Sequence, residues 1–440
     1  MKKIFVSAGL VALGAAGLHA DDTYAPDVTA MDATKIWSVS GTLRGFYDDN
    51  YTTSHSDSSG KRASWGFEFS PSLNLLVPLQ QTELGLRYTY GLYYYQDRQN
   101  QGSNPIDQSH EADLWIDHSF TERWEGKVQD DFSVSQEPQL SSTPTAEPYR
   151  VEGNNIQNLG TVSIHTDWSM LFSTDLAYEN HFVQYQNRGT SLLGLLDGTQ
   201  QASLAGFLDQ LDHSVFLNLN YQFEPDLTFL VGDQFELNRY TANEPIGIGP
   251  GGVFNSGNLD SYSEIAYVGG TYAATENLSA TVEAGIQYTV NNDLPSFDGQ
   301  SSDSLQPYAQ VAVTYTYLPG SYVQAGFTQS ETSSDTPDPG KTTSTLTTYQ
   351  EASVLYASIN HKITPLLLAS IVGHYQYATY HGGANDGSSQ NMYDLGFNLG
   401  YTINDHLSVE IGYNFDYVTA AAGLQSYARN REYIGITGTY

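Results

Sequence analysis

The sequence predicts an all-β chain: a transmembrane antiparallel up-and-down β-barrel of about 18 strands (16–18), with short periplasmic turns and long extracellular loops. Three observations carry this expectation. Large apolar or aromatic residues fill every second place along most of the chain, as in Tyr393-Asp394-Leu395-Gly396-Phe397-Asn398-Leu399-Gly400-Tyr401. Successive side chains of a strand point to opposite faces, so each such segment has one greasy and one wet face. The segments are joined alternately by tiny turns and by long polar loops, the asymmetry of barrels that cross a membrane.

The N-terminus is consistent with export. Lys2 and Lys3 precede an apolar stretch from Ile4 to Gly17, and Leu18-His19-Ala20 precedes two aspartates. This reads as a signal peptide spanning 1–20, cut after Ala20. The stretch is shorter than the ~20 residues of a spanning helix, and no other segment approaches that length. Residues 21–35 read as a short periplasmic lead-in, and 36–440 as the barrel. There are no cysteines, so an exported chain must do without disulfides. Hydrophobic content is only 40 % and mean hydropathy is negative. A helical membrane protein does not look like this, whereas a barrel does, because half of each strand faces water. The formal charge is -32, and losing residues 1–20 removes two lysines and no acid, giving -34. Nucleic acid is excluded as a partner on that balance. The acid is either solvated loop surface or a lumen that attracts cations.

The tight turns fall near Pro78–Gln81, Thr121–Arg123, Thr166–Ser169, Glu224–Asp226, Ala274–Asn277, Leu318–Gly320, Lys362–Pro365 and Asn404–Asp405. Pro, Asp, Asn and Gly supply the turn geometry. Between them lie polar stretches at 48–62, 97–109, 135–150, 186–212, 240–259, 291–303, 330–348, 379–390 and 418–430. Each tight turn and each long loop joins two neighbouring strands, which yields the even strand number of single-chain barrels. In the first strand Trp37, Val39, Leu43 and Tyr47 oppose Ser38, Ser40, Thr42 and Arg44. In the next, Phe67, Phe69, Leu73 and Leu75 oppose Glu68, Ser70, Ser72 and Asn74. Further on, Leu278, Ala280, Val282, Ala284, Ile286 and Tyr288 oppose Ser279, Thr281, Glu283 and Gln287. A charge facing lipid at mid-depth costs roughly 2–4 kcal/mol for Arg or Lys, so the charged face is read as the lumen. The facing of 262–273, 349–361 and 366–377 stays ambiguous, since a one-residue slip reverses it. Many of the 33 tyrosines close strands on the apolar face, among them Tyr47, Tyr90, Tyr221, Tyr317, Tyr401 and Tyr417, as in an aromatic girdle.

The chain ends Arg431-Glu432-Tyr433-Ile434-Gly435-Ile436-Thr437-Gly438-Thr439-Tyr440, with Ile434, Ile436 and Tyr440 on one alternating face. This resembles the terminal strand of Gram-negative outer-membrane barrels. With the segment Asp117-His118-Ser119-Phe120-Thr121-Glu122-Arg123, the chain resembles the beta-barrel porin 2 group. Tyr440 stands where Phe is commoner, and Gly438 where a larger apolar residue is usual. The resemblance implies a bacterial outer-membrane location, a setting in outer-membrane lipid, and recognition of Ile434, Ile436 and Tyr440 by the barrel-assembly machinery. It speaks to fold and place more than to function. Trimers are common among porins, so a homotrimer is among the expected partners, although no interface is legible.

Alternation assigns the carboxylates Glu68, Glu111, Asp113, Asp117, Asp131, Asp175, Glu179, Glu236, Glu283, Asp394, Glu410 and Asp416 to the lumen. The inward bases are Arg44, Arg87 and Lys127. These groups are either pore-lining charges, which as rings of acids favour cations, or salt bridges that hold the wall. Phe46, Tyr93, Tyr95, Trp115, Phe216 and Tyr308 also point inward, either to stack sugars or simply to pack in the wall. Loop 186–212 has partly helical apolar spacing, with Leu192, Leu196, Phe207 and Leu211 as candidate constriction residues. It either folds into the lumen as a constriction or packs on the rim or on a partner. No metal or cofactor is assigned: Asp57, Asp335, Asp338 and Asp386 match no calcium loop. An enzyme is not expected. His110, Asp113, Asp117, His118, Asp175 and His181 have no catalytic spacing, and there is no G-x-S-x-G. The expected function is passive diffusion of small hydrophilic solutes with cation preference. The alternative is a non-conducting structural, adhesion or polysaccharide-export barrel.

Overall fold

The computed structural model describes residues 36–54, 60–100, 102, 104–135, 154–196, 203–249, 252–291, 303–334, 347–420 and 426–440. The expected signal peptide, the lead-in, and Asp57, Asp335 and Asp338 lie outside the described residues.

The first half of the wall is β1 (Trp37–Asp48), β2 (Ser64–Pro78), β3 (Thr82–Tyr95), β4 (Ile106–Thr121) and β5 (Trp124–Ser135). It continues with β6 (Asn155–Asp167), β7 (Phe172–Tyr185), β8 (Gln210–Glu224) and β9 (Leu227–Tyr240). A small hairpin, β10 (Pro245–Gly249) and β11 (Gly252–Asn255), forms its own sheet in the loop that follows. The second half is β12 (Ser261–Thr275), β13 (Leu278–Asn291), β14 (Asp303–Leu318), β15 (Ser321–Ser333) and β16 (Thr347–Thr364). It ends with β17 (Leu367–Gly382), β18 (Ser389–Asn404), β19 (Leu407–Ala420) and β20 (Tyr427–Thr439). Short helices α1 (Gln96–Asn100), α2 (Leu192–Leu196) and α3 (Leu204–Leu208) sit in the outer loops.

The large sheet has 18 strands. Each wall strand pairs antiparallel with its neighbours in sequence, β9 with β12 across the small hairpin, and β20 returns to β1. That last pairing runs from Ser40↔Thr439 to Asp48↔Arg431 and closes the barrel. All eight predicted turns fall where strands meet, within a few residues. In one of the two-residue turns, Pro319 and Gly320 join β14 to β15, and Gly320 takes φ +77, which other residues rarely adopt.

The two faces separate by burial. Leu43, Phe69, Val282, Ile286 and Ile436 are exposed, while Thr42, Arg44, Glu68 and Thr437 on the alternate positions are buried. The three ambiguous strands now have a facing. In β12 Ser263, Ile265 and Tyr267 are buried and Val268 is exposed; in β16 Val354, Tyr356 and Ser358 are buried and Leu355 exposed; in β17 Ser370 and Gln376 are buried and Ile371 exposed. Aromatic rings run across the outer surface. Tyr375, Tyr393 and Tyr417 follow one another over β17, β18 and β19, with centroids 4.8 and 6.0 Å apart. Near the turns, Trp124 meets Trp168 at 5.9 Å and Phe172 meets Tyr221 at 5.0 Å.

The rule that charge belongs to the lumen has several exceptions: Asp130, Asp233, Arg239, Glu264 and Glu432 all stand on outward positions. Asp130 lies on the lipid-facing side between Val128 and Phe132, opposite Leu114. Asn158 Nδ2 donates to it at 2.9 Å, which relieves part of its desolvation. Asp233 is exposed between Val231 and Phe235, opposite the exposed Leu217. Replacing Asp233 with Val should raise resistance to thermal unfolding in detergent micelles, by up to roughly 2 kcal/mol, because a carboxylate costs less than Arg or Lys in such a band. An unchanged or lower unfolding midpoint would show that the barrel uses this carboxylate.

Candidate functional site: the lumenal wall and its inward flap

The inward side chains divide the barrel into two unlike halves. Around the closure seam, arginines hold the carboxylates. Arg44 on β1 donates through Nε to Glu410 Oε1 at 2.6 Å and through Nη1 to Glu68 Oε1 at 3.0 Å, and all three residues are buried. Asn398 Nδ2 donates to Glu410 Oε2 at 2.8 Å and to Tyr433 Oη at 2.9 Å. The Arg44 guanidinium lies over the Tyr433 ring, 5.6 Å from its centroid. That ring lies flat on the strand beside it: a Cβ on Gly412 would come within 2.1 Å of it. Further along β20, Arg431 reaches Asp48 at 3.0 Å and Arg429 reaches Asp416 at 2.7 Å. Asp394, on the neighbouring strand, meets His374 at 3.7 Å.

The next strands continue the pattern more loosely. Arg87 Nε bonds Asp113 at 2.8 Å, and Lys127 lies 3.9 Å from Asp117 and 3.5 Å from Glu125. Gln129 Nε2 donates to Asp131 at 2.9 Å. Glu111 is buried between Thr89 and Ser133 in register.

The other half is acidic. Among the described residues, no Lys or Arg stands on the inward face of β6–β9 or β12–β15. Asp175 is met by His165 at 2.6 Å and by Asn220 at 2.7 Å, and Asp212 by His181 at 3.4 Å. Glu179 on β7 and Glu236 on β9 both lie opposite Ser214 of β8. Glu283 is buried on β13 and accepts from Tyr308 Oη at 3.5 Å.

The C-terminal, long-loop end of β15 leaves the wall. Its pairing with β14 stops at Ala309↔Gln329, whereas its pairing with β16 continues to Ser333↔Tyr349. The inward Gln287 of β13 then grips the β15 backbone: its Nε2 donates to Glu331 O at 2.8 Å and its Oε1 accepts from Glu331 N at 2.9 Å. Asn238 of β9 donates to Ser333 Oγ. The β15–β16 end is therefore a flap laid across the lumenal side of β14 and β13. Its sequence fits that position, because Ser330-Glu331-Thr332-Ser333 and Thr347-Thr348 offer no apolar face to lipid.

The described part of loop 186–212 packs with the β10–β11 hairpin on inward residues at the ends of β7 and β9. Phe207 and Leu208 of α3 pack on Val183 and Tyr185 of β7, on Tyr240, and on Ile246 and Phe254 of the hairpin. Leu192 is exposed on α2, and Leu196 closes that helix. Leu211 is not part of the loop: it belongs to β8 and stands on the outer face, opposite Phe182 and Arg239. Glu244 joins the two loops, accepting from Gly189 N at 2.8 Å, Thr190 N at 3.1 Å and Ser203 Oγ at 2.6 Å. Partial burial pushes its carboxyl up, but these three donors and nearby Arg188 outweigh that and hold it below the usual value.

Several lumenal residues escaped the sequence reading. Arg429 was expected in loop 418–430, and Arg431 just past it was not assigned to the lumen, but β20 begins at Tyr427 and carries both. Glu331 was expected in loop 330–348, yet it lies in β15. Tyr433, Tyr267, Tyr356 and Tyr380 join the inward aromatics. Alternation extended two residues past the expected strand ends would have found the arginines. Asp386, considered above for calcium, instead accepts from Gly382 N at 2.9 Å within its own turn. Ile434 and Ile436 of β20 are exposed on the outer face, and Tyr440, just past the strand, is exposed as well.

No family model and no curated protein matches this chain. Among solved structures, it is similar to Pseudomonas aeruginosa OccK11 (OpdR), at 12 % identity, covering 92 % of this chain and 96 % of that one, with TM-score 0.39. For Pseudomonas aeruginosa OccK1 (OpdK) the values are 8 %, 92 %, 99 % and 0.41. For Acinetobacter baumannii OccAB2 they are 14 %, 92 %, 98 % and 0.40.

Two outcomes follow from this geometry. Glu410→Ala should lower barrel stability by about 3 kcal/mol, because it strips a partner from a buried guanidinium; urea midpoints in micelles measure it, and a loss under about 1 kcal/mol would mean the seam does not depend on the network. The Glu244 clasp should be pH-dependent. Its folded value is depressed below 4.5, so its contribution is present above that pH and is lost as pH falls through the folded value. Limited proteolysis of loop 186–212 should accelerate on acidification in the wild type, and Glu244→Gln should already be fast at pH 7. Equal rates for the two proteins at neutral pH would remove the clasp.

Proposed function

We propose that this chain is an outer-membrane porin, a passive diffusion channel for small hydrophilic solutes with a preference for cations. The observation that carries the proposal is the closed barrel of 18 strands with one inward half bearing Asp175, Glu179, Asp212, Glu236 and Glu283 and, among the described strand residues, no inward Lys or Arg. Barrels of this strand number leave room for an aqueous channel. Unopposed carboxylates along a water-filled path raise the local concentration of cations and repel anions.

In this mechanism solutes cross by diffusion. Width is set by the wall together with the inward flap, and charge by the acidic half. The seam half is rigid, because its arginines are spent on carboxylates already in place. Export would use residues 1–20, and insertion would use the outward Ile434 and Ile436 of β20, with the terminal Tyr440, as the strand end read by the assembly machinery.

Planar-bilayer recording of the refolded protein tests the reading. Under a KCl gradient the reversal potential should take the sign of a cation-selective pore. Glu236→Gln combined with Glu283→Gln should move it toward zero while single-channel steps persist. Absence of steady steps, or anion selectivity, would overturn the proposal.

A further inference from the structure

Between the flap and the wall lies a small, partly open recess, lined on the wall side by Glu236, Asn238 and Ser263 and on the flap side by Glu331, Thr332 and Tyr349. Its chemistry is one-sided. Asn238 is only 4 % exposed; its Nδ2 is used on Ser333, and its Oδ1 has no donor. Glu331 is equally buried: Oε2 accepts from Ser304 Oγ at 2.5 Å, and Oε1 has no donor. Thr332 Oγ1 is also buried without a partner. No Lys or Arg lines the recess. Buried acceptors left without donors are costly and rare in folded proteins, and here they gather around two carboxylates, one carried by each side of a gap.

We propose that this recess binds a small organic cation bearing N–H donors, of the guanidinium or primary-ammonium class. The acceptors ask for hydrogen-bond donors as well as positive charge, which a quaternary ammonium cannot supply. Among the described residues no three His, Asp or Glu groups converge closely enough to hold a metal ion. Spaced carboxylates around a partly open recess suit a slender cation that donates several bonds at once. Bound there, such a cation would pair Glu236 of the wall with Glu331 of the flap and fasten the flap down. The proposal deepens the channel reading, and rests on it only for the route by which the cation arrives.

The test is saturation-transfer NMR on the full refolded chain in detergent micelles, with methylguanidinium and tetramethylammonium as probes of equal charge. Methylguanidinium should give a saturable signal, with its Kd raised at least tenfold by Glu236→Gln and by Glu331→Gln; both variants are checked for the heat-modifiable gel mobility of a folded barrel. Tetramethylammonium should bind at least tenfold more weakly than methylguanidinium. If the glutamate variants do not fold, this discrimination by the wild type decides alone. Equal binding of the two ions, or a Kd unmoved in folded variants, would mean that cations gather by overall charge, and would overturn the site. Binding in micelles needs no conduction. A channel that fails in bilayers with this binding intact would sink the porin reading and leave the site standing.

Discussion

Every backbone amide in a bilayer must find a partner inside the protein, since no water is there to supply one. A sheet meets that demand only if its two edges meet. Here the edges are β1 and β20, and their pairing from Ser40 to Asp48 is the one long-range joint between the ends of the chain. Every other wall pairing joins neighbours along the sequence. The strongest side-chain network of the lumen sits at this joint: Arg44 from β1 reaches Glu68 on β2 and Glu410 on β19 across the intervening β20. A guanidinium spans that distance only if the strand between is bare, and Gly435 lies where a Cβ would crowd both Arg44 and Glu410, at 2.9 and 2.7 Å. Buried ion pairs contribute little net stability over apolar packing, and their better-attested role is to fix register. A slip of one residue at the seam would move Arg44 to the lipid face.

The same logic divides the lumen. Arginine is concentrated where register needs fixing, on β1, β3 and β20. The strands far from the seam are aligned by their own tight turns and carry no such load. Their carboxylates are partnered by histidines, amides and hydroxyls, which leave negative charge in place. The acidic half and the arginine-rich half are thus two consequences of one closure problem. The field across the lumen follows from it.

Strand number, turns and most facings were legible in the sequence, because alternation and turn chemistry are local signals. What escaped was tertiary. Nothing local distinguishes the end of β15 from an ordinary polar loop, because leaving the lipid is what removes its apolar face. Glu331 looked like loop acid for that reason. Arg429 and Arg431 were hidden by the convention that strands end where apolar residues end, although lumenal alternation continues through Tyr427. Leu211 was misplaced for the opposite reason: helical spacing in loop 186–212 ran on into a strand whose outer face is apolar anyway.

The lipid-facing Asp130 shows where the pattern itself bends. Gly160 is its register partner, and a Cβ there would come within 3.4 Å of the Asp130 carboxylate. The missing side chain leaves an open notch beside a carboxylate that Asn158 already bonds. A carboxylate, an amide and a bare backbone position thus occupy adjoining outward sites on β5 and β6, where Leu114 of β4 and Val162 of β6 are exposed beside them. Binary alternation within one strand cannot register this, because Asp130 sits on β5 and its partners Asn158 and Gly160 on β6. Only the pairing of Asp130 with Gly160, and the reach of Asn158 across it, make the three one feature of the wall.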